Sequence, residues 1–167
     1  MLYGNRKEHS MHFIIAGQTG VGTSVLAQQL SGLNGLPAYA CEPMPVYTDM
    51  VFDDIAEEEI PLPECDGVIV AVNLLEGPMP GTREVIRRAH LGNIPVAGIA
   101  LTHLDQFLAQ TKIRHSIKEL VGWETRELLS LYGYTDARIP LAELALVSGC
   151  EESVAAFRDT VLAYIRK

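Results

Sequence analysis

Cysteine is scarce: Cys41, Cys65 and Cys150 are three residues in a chain of 167. An odd count at wide, irregular spacing excludes a disulfide framework, and no pair forms a zinc-binding C-x-x-C. Reduced thiols fit a cytoplasmic setting. Positive charge is also short, with 13 Lys and Arg against 21 Asp and Glu and a net charge of -8. A surface that grips a nucleic-acid backbone has the opposite bias, so no direct nucleic-acid binding is expected. One small anion held by backbone N–H groups stays compatible with this balance. Long apolar runs are missing too. The longest without a charge, Gly67 to Leu75, falls well short of the roughly 20 residues that span a bilayer. Arg6 and Lys7 precede only Phe13 to Ala16 before Gly17, too little for a signal-peptide core. A soluble protein with no membrane partner is expected.

What remains is ordinary globular material, 48% hydrophobic and 20% charged, enough for one domain. Residues 1–10 are polar and read as a flexible leader, with a single domain over 11–167. His12 to Ala16 is a short, β-rich apolar run that predicts a buried parallel strand. Ser24 to Leu30 predicts a helix, ended by Gly32 and Gly35. Residues 36–65 are broken by five prolines around one strand near Val46–Phe52. They also carry an acidic run, Asp53 to Glu59, read as a solvated loop, with a metal or partner site as the alternative.

Order returns with a buried strand over Gly67–Asn73 and a helix from about Thr82 to His90, on which Arg83, Arg87 and Arg88 read as a solvated face. A third strand follows at Val96–Leu101. Ile113, Ile117, Leu120, Val121, Leu128 and Leu131 recur at helical spacing, predicting one long helix or two abutting ones, with Trp123 as core or interface packing. A fourth strand is predicted at Leu144–Val147. The closing helix sets Val154, Phe157, Val161 and Ile165 on one face. Short apolar strands alternating with amphipathic helices predict an α/β fold of three layers, a mostly parallel sheet covered by helices on both faces.

Such a sheet binds ligands at the carboxyl ends of its strands. The first loop there is Gly17-Gln18-Thr19-Gly20-Val21-Gly22-Thr23-Ser24. It matches the phosphate-loop pattern G-x-x-x-x-G-K-[ST] at every fixed position except the lysine, replaced by Thr23. Its glycines suit an anion nest, and the following helix N-terminus adds partial positive charge. Ser24 holds the position whose hydroxyl binds magnesium in such loops.

From Asp66 the chain reads DGVIVAVNLLEGPMPGTREVIRRAHLGNIPVAGIALTHLD. This stretch resembles the GTP-binding domain of the bacterial elongation factor Tu family. Asp66-Gly67, Glu76-Gly77-Pro78-Met79-Pro80 and Thr82-Arg83-Glu84 parallel that family's D-G, D-G-P-M-P and T-R-E strings. Thr125 to Tyr132 resembles its V-R-E-L-L-S-x-Y helix. The resemblance implies a P-loop NTPase-like fold, with GTP or GDP and Mg2+ as ligands. It also implies that Thr102-His103-Leu104-Asp105 stands for N-K-x-D, with Asp105 facing the guanine edge. Ser148-Gly149-Cys150 stands for S-A-K/L, where a backbone N–H meets the guanine oxygen.

The departures point to reduced function. The loop lysine is missing, and His103 replaces the lysine of N-K-x-D. None of the seven aspartates has glycine three residues on, so D-x-x-G is absent. Thr48 is the nearest residue for the family's magnesium-closing switch threonine. The family's β-barrel domains have no counterpart in this sequence. Three readings follow: a degenerate GTPase fold acting as an interaction module, a minimal GTP/GDP binder with slow or no hydrolysis, or a pocket for another phosphorylated ligand. No catalytic residue is assigned. The first reading implies a protein partner, a second copy of the chain included, docked on a static, acidic segment 36–65 and more often basic than not.

Overall fold

The computed structural model of the chain describes residues 10–33, 45–110 and 115–167. All of the leader but Ser10, together with Cys41 and Ile113, lies outside the described residues. In chain order the elements are β1 (His12–Gln18), α1 (Thr23–Leu33), β2 (Val46–Phe52), β3 (Gly67–Asn73), α2 (Pro80–Leu91) and β4 (Val96–Thr102). Then come α3 (Leu104–Gln110), α4 (His115–Ser130), β5 (Leu141–Glu143) and α5 (Glu151–Ile165). The strands form one sheet in the order β2-β1-β3-β4-β5, and every neighbouring pair is parallel.

The strand sequences are apolar at consecutive positions because both faces are covered. Ile14, Ala16, Val68 and Val70 pack into one core with Val85 and Ile86 of α2 and Leu129 of α4. Their neighbours Phe13, Ile15, Ile69 and Ala71 face a second core with Leu26 and Leu30 of α1 and Phe157 and Val161 of α5. Each of the Val, Leu, Ile and Phe side chains among these contributes about 1.5–3 kcal/mol on burial. The expected three-layer α/β fold with a parallel sheet is therefore the observed one. On β4, a Cβ at Gly98 would lie 2.9 Å from Val161 Cγ2 and 3.0 Å from Phe157 Cζ, so α5 rests on bare backbone there.

Three expectations need correction. The last strand is Leu141–Glu143, not Leu144–Val147. Leu144 N–H still donates to Leu101 O at 2.7 Å, but its carbonyl accepts from Leu104 N at 3.1 Å. The chain thus leaves the ladder there, and the apolar run records burial of Leu144 rather than strand. Second, the strand expected near Val46–Phe52 is present with those bounds as β2, but it is an edge strand of the sheet, so residues 36–65 are not solely the exposed docking surface expected of them. Its Tyr47 is buried and stacked on Phe13, centroids 5.7 Å apart.

Third, α2 does not present its arginines simply to water. Glu84 is fully buried and holds Arg88 Nε at 2.6 Å and Arg87 at 2.9 Å. Arg87 also donates to the carbonyls of Ala56 and Glu58, at 3.3 and 2.8 Å, and the Arg88 guanidinium lies 4.7 Å above the Phe52 ring. The acidic segment is solvated, as expected, but its backbone is clamped from beneath. Trp123 belongs to no core, being 60% exposed, and Leu131 is 73% exposed.

Candidate phosphate-loop and base site

Loop 17–24 joins β1 to α1. Gly20 and Gly22 both have φ of +88°, a left-handed backbone that glycine adopts without strain. Nothing lies within 4 Å of where a Gly20 Cβ would stand, so the crest of the loop is open. A side chain at Gly17 would run into the Ala71 carbonyl of β3. Thr19 and Ser24 are exposed, whereas Val21 is buried. Thr23, at the lysine position, is 3% exposed and brings no charge. No group of three or more His, Cys, Asp or Glu side chains suited to a metal occurs among the described residues.

Gln18 turns out to be a bridge. Its Oε1 accepts from Gly81 N at 2.7 Å, at the start of α2, while its Nε2 donates to Asp53 O and Oδ1 at 3.3 and 3.2 Å. One amide therefore ties the phosphate loop to the segment after β2 and to the next helix. Thr48 lies elsewhere. It sits four residues before the end of β2, about 13 Å up the strand, where it bonds His12 Nε2 at 2.8 Å.

The Thr102–Asp105 loop leaves β4 beside the phosphate loop. Thr102 is buried, and its hydroxyl donates to Val21 O at 2.7 Å, with Val72 O at 3.3 Å and His103 Nδ1 at 3.0 Å. His103 takes φ of +63°, and its carbonyl accepts from Phe107 N at 2.9 Å, opening α3. Asp105 sits in the first turn of α3. Ser148 and Gly149 are exposed, and Cys150 caps α5. The free N–H expected here is already engaged, because Gly149 N–H donates to Glu151 Oε1 at 3.2 Å. That bond, with one from Glu151's own N–H, holds the Glu151 carboxyl below its ordinary range.

Gly22, Val25, His103, Asp105, Gln106, Leu146 and Val147 surround one hollow of ≈ 170 Å³. Three expected residues, Gly22, His103 and Asp105, therefore meet, although they come from different loops. Ser148, Gly149 and Cys150 do not line it; Leu146 and Val147, just before them, do. Gln29 Nε2 donates to Leu146 O at 3.2 Å, fixing that wall to α1. Sequence reading passed over Val25, Gln29, Gln106, Leu146 and Val147. No sequence signal marked them, since it is only in the fold that Val25 and Val147 are left 42% and 46% exposed beside the motifs. The hollow is smaller than the roughly 300–1,000 Å³ of ordinary small-molecule pockets, room for one ring system rather than a whole nucleotide.

No family model matches the chain. Among solved structures it is similar to translation elongation factor SelB from Methanococcus maripaludis in its apo form, with a TM-score of 0.65 at 15% identity. The match covers 95% of this chain and 34% of the other, so the chain spans about a third of that protein's length. What is shared at this identity is the fold, an α/β domain with helices on both faces of a parallel sheet.

Proposed function

We propose that the chain is a degenerate GTPase-like domain, with weak or lost guanine-nucleotide binding, that acts as a protein-interaction module. One observation carries the reading: the backbone cradle persists while its charge does not. Gly20 and Gly22 keep the open left-handed turn, yet Thr23 is enclosed where a lysine would reach the phosphates. Phosphoryl transfer depends on positioned charge, and without it no turnover is expected. The residues fit GTP or GDP in part, with backbone N–H groups of the loop for phosphate and Asp105 for a base edge. A Mg2+ there would be held by the exposed Ser24 hydroxyl together with the nucleotide's own phosphates.

The interaction half of the proposal rests on residues 53–59. The carboxylates face water while Arg87 holds the backbone beneath, a fixed acidic rim suited to steering a basic protein. With Gln18 tying Asp53 to the loop, this rim does not need a γ-phosphate to be ordered. A minimal GTP/GDP binder is the second reading, favoured by Asp105, His103 and Gly22 sharing one hollow. Thermal-shift measurement with GDP, GTP and ATP, with and without magnesium, separates the two, because a ligand bound only by the folded state raises Tm. Little or no stabilisation by any nucleotide is expected. A clear rise with GDP but not ATP, lost in Asp105→Asn, would establish the second reading. GTP turnover abolished by Ser24→Ala would overturn the first.

A further inference from the structure

A groove of ≈ 580 Å³ runs between α4 and the loop that opens α2 and shares no lining residue with the hollow at the strand ends. Its wall is apolar: Ile55, Met79, Trp123, Leu128 and Leu131. Three of these sit in water, with Trp123 at 60%, Leu131 at 73% and Ile55 at 45% exposure. An amphipathic helix normally buries its apolar residues, yet α4 leaves Trp123 in water, and Leu131 just past its end is bare as well. The charges in the groove are unbalanced. Glu124 and Glu127 are exposed and make no ion pair among the described residues, while Arg83 donates from Nε to Tyr132 Oη at 3.1 Å.

We propose that this groove docks a basic amphipathic helix from a partner protein. The proposal rests on the interaction reading above but assigns the contact to a different surface. Trp123 and Leu131, the latter one residue past the end of α4, are eight positions apart, about 12 Å, which two apolar anchors seven or eight residues apart on a partner helix would match. Lys or Arg beside those anchors would reach Glu124 and Glu127 and could lie over the Trp123 ring. The same carboxylates argue against other occupants. Two copies joined by a two-fold axis would set identical acidic rims together, and the chain's net charge of -8 repels anionic lipid.

Trp123 is the only tryptophan, so its emission reports on the groove directly. The probe is a synthetic Leu/Lys amphipathic helix of about 14 residues, roughly 21 Å long, titrated into the full chain. A saturable blue shift at equimolar stoichiometry is expected, with no response to the matching Leu/Glu peptide. Glu124→Gln with Glu127→Gln, and separately Leu131→Ser, should each weaken binding by about tenfold or more. The charge pair alone should also flatten the salt dependence. Neutralising Glu57, Glu58 and Glu59 together should change affinity by no more than about twofold.

The proposal is overturned by a silent Trp123, by equal response to the Leu/Glu peptide, or by binding of many peptides per chain. A dimer that hides Trp123 without any peptide also overturns it. If affinity follows Glu57–Glu59 and ignores Leu131, the groove assignment fails while the acidic-rim reading stands.

Discussion

Thr102 Oγ1 has one proton to give, and the Val21 carbonyl at 2.7 Å takes it, so the His103 contact requires a proton on Nδ1. This relay fastens the base-side loop to the phosphate loop inside the protein. Thr102→Val keeps the shape and leaves the Val21 carbonyl unpaired, which costs about 1–3 kcal/mol. Urea unfolding should show a lower midpoint at unchanged slope; an unaltered midpoint would mean the bond carries nothing. Thr23 permits a conditional test. Its enclosure makes Thr23→Lys an overpacked variant, destabilised by about 1–3 kcal/mol. Because the added ammonium is complementary to phosphate, GDP should recover part of the lost Tm in this variant and little or none in the parent. Equal GDP responses would show that the lysine position no longer addresses the loop.

At the level of elements, α2 and segment 52–60 are one unit held by Glu84. Burial pushes its carboxyl up, but hydrogen bonds from Arg87 and Arg88 outweigh this and leave it below the ordinary range. A lowered folded value means that its contribution is present above about pH 4.3 and is lost as pH falls through that lowered value. Glu84→Gln should cost about 3 kcal/mol at neutral pH and make stability flatter between neutrality and acid. It should also loosen residues 53–59, seen as faster proteolysis there; a variant with parental pH dependence would refute the role. None of this was legible beforehand. A glutamate three and four residues before arginines reads as a solvated ladder, and only the chain folding over it from β2 makes it core. The helix and strand types were legible because strand runs and helical spacing are set by local burial. Strand β5 was misplaced because Leu144 is apolar for the core without belonging to the ladder.

Over the whole molecule, the site's two motifs were readable because both lie at fixed offsets from strands, where a parallel sheet collects its loops. The bridge from Gln18 to Gly81, 63 residues apart, was not, since nothing local marks a glutamine for that task. Removing it tests whether the fold is static as a whole. Gln18→Ala should leave the sheet intact and release the segment after β2, so that amide exchange quickens around Asp53 and at Gly81 while the β3 amides stay protected. Uniform quickening would instead mean that the bridge supports global stability. A partner bound through the acidic rim should be held more weakly at high salt, and equally well with or without GTP. Capture that requires GTP would point to a working switch.

The bare backbone of Gly98 has a consequence at the far end of α5. That helix is seated by Phe157 and Val161 on β4, and its N-terminus leads directly from Leu146 and Val147, one wall of the hollow. A single methyl at position 98 would act as a wedge under a lever. It would lift the helix at Phe157 and Val161 and shift its N-terminal end, which follows the Leu146–Val147 wall that shares the hollow with Asp105. The width of the hollow is thus gauged by a hydrogen atom on β4, beneath the same helix layer that walls it.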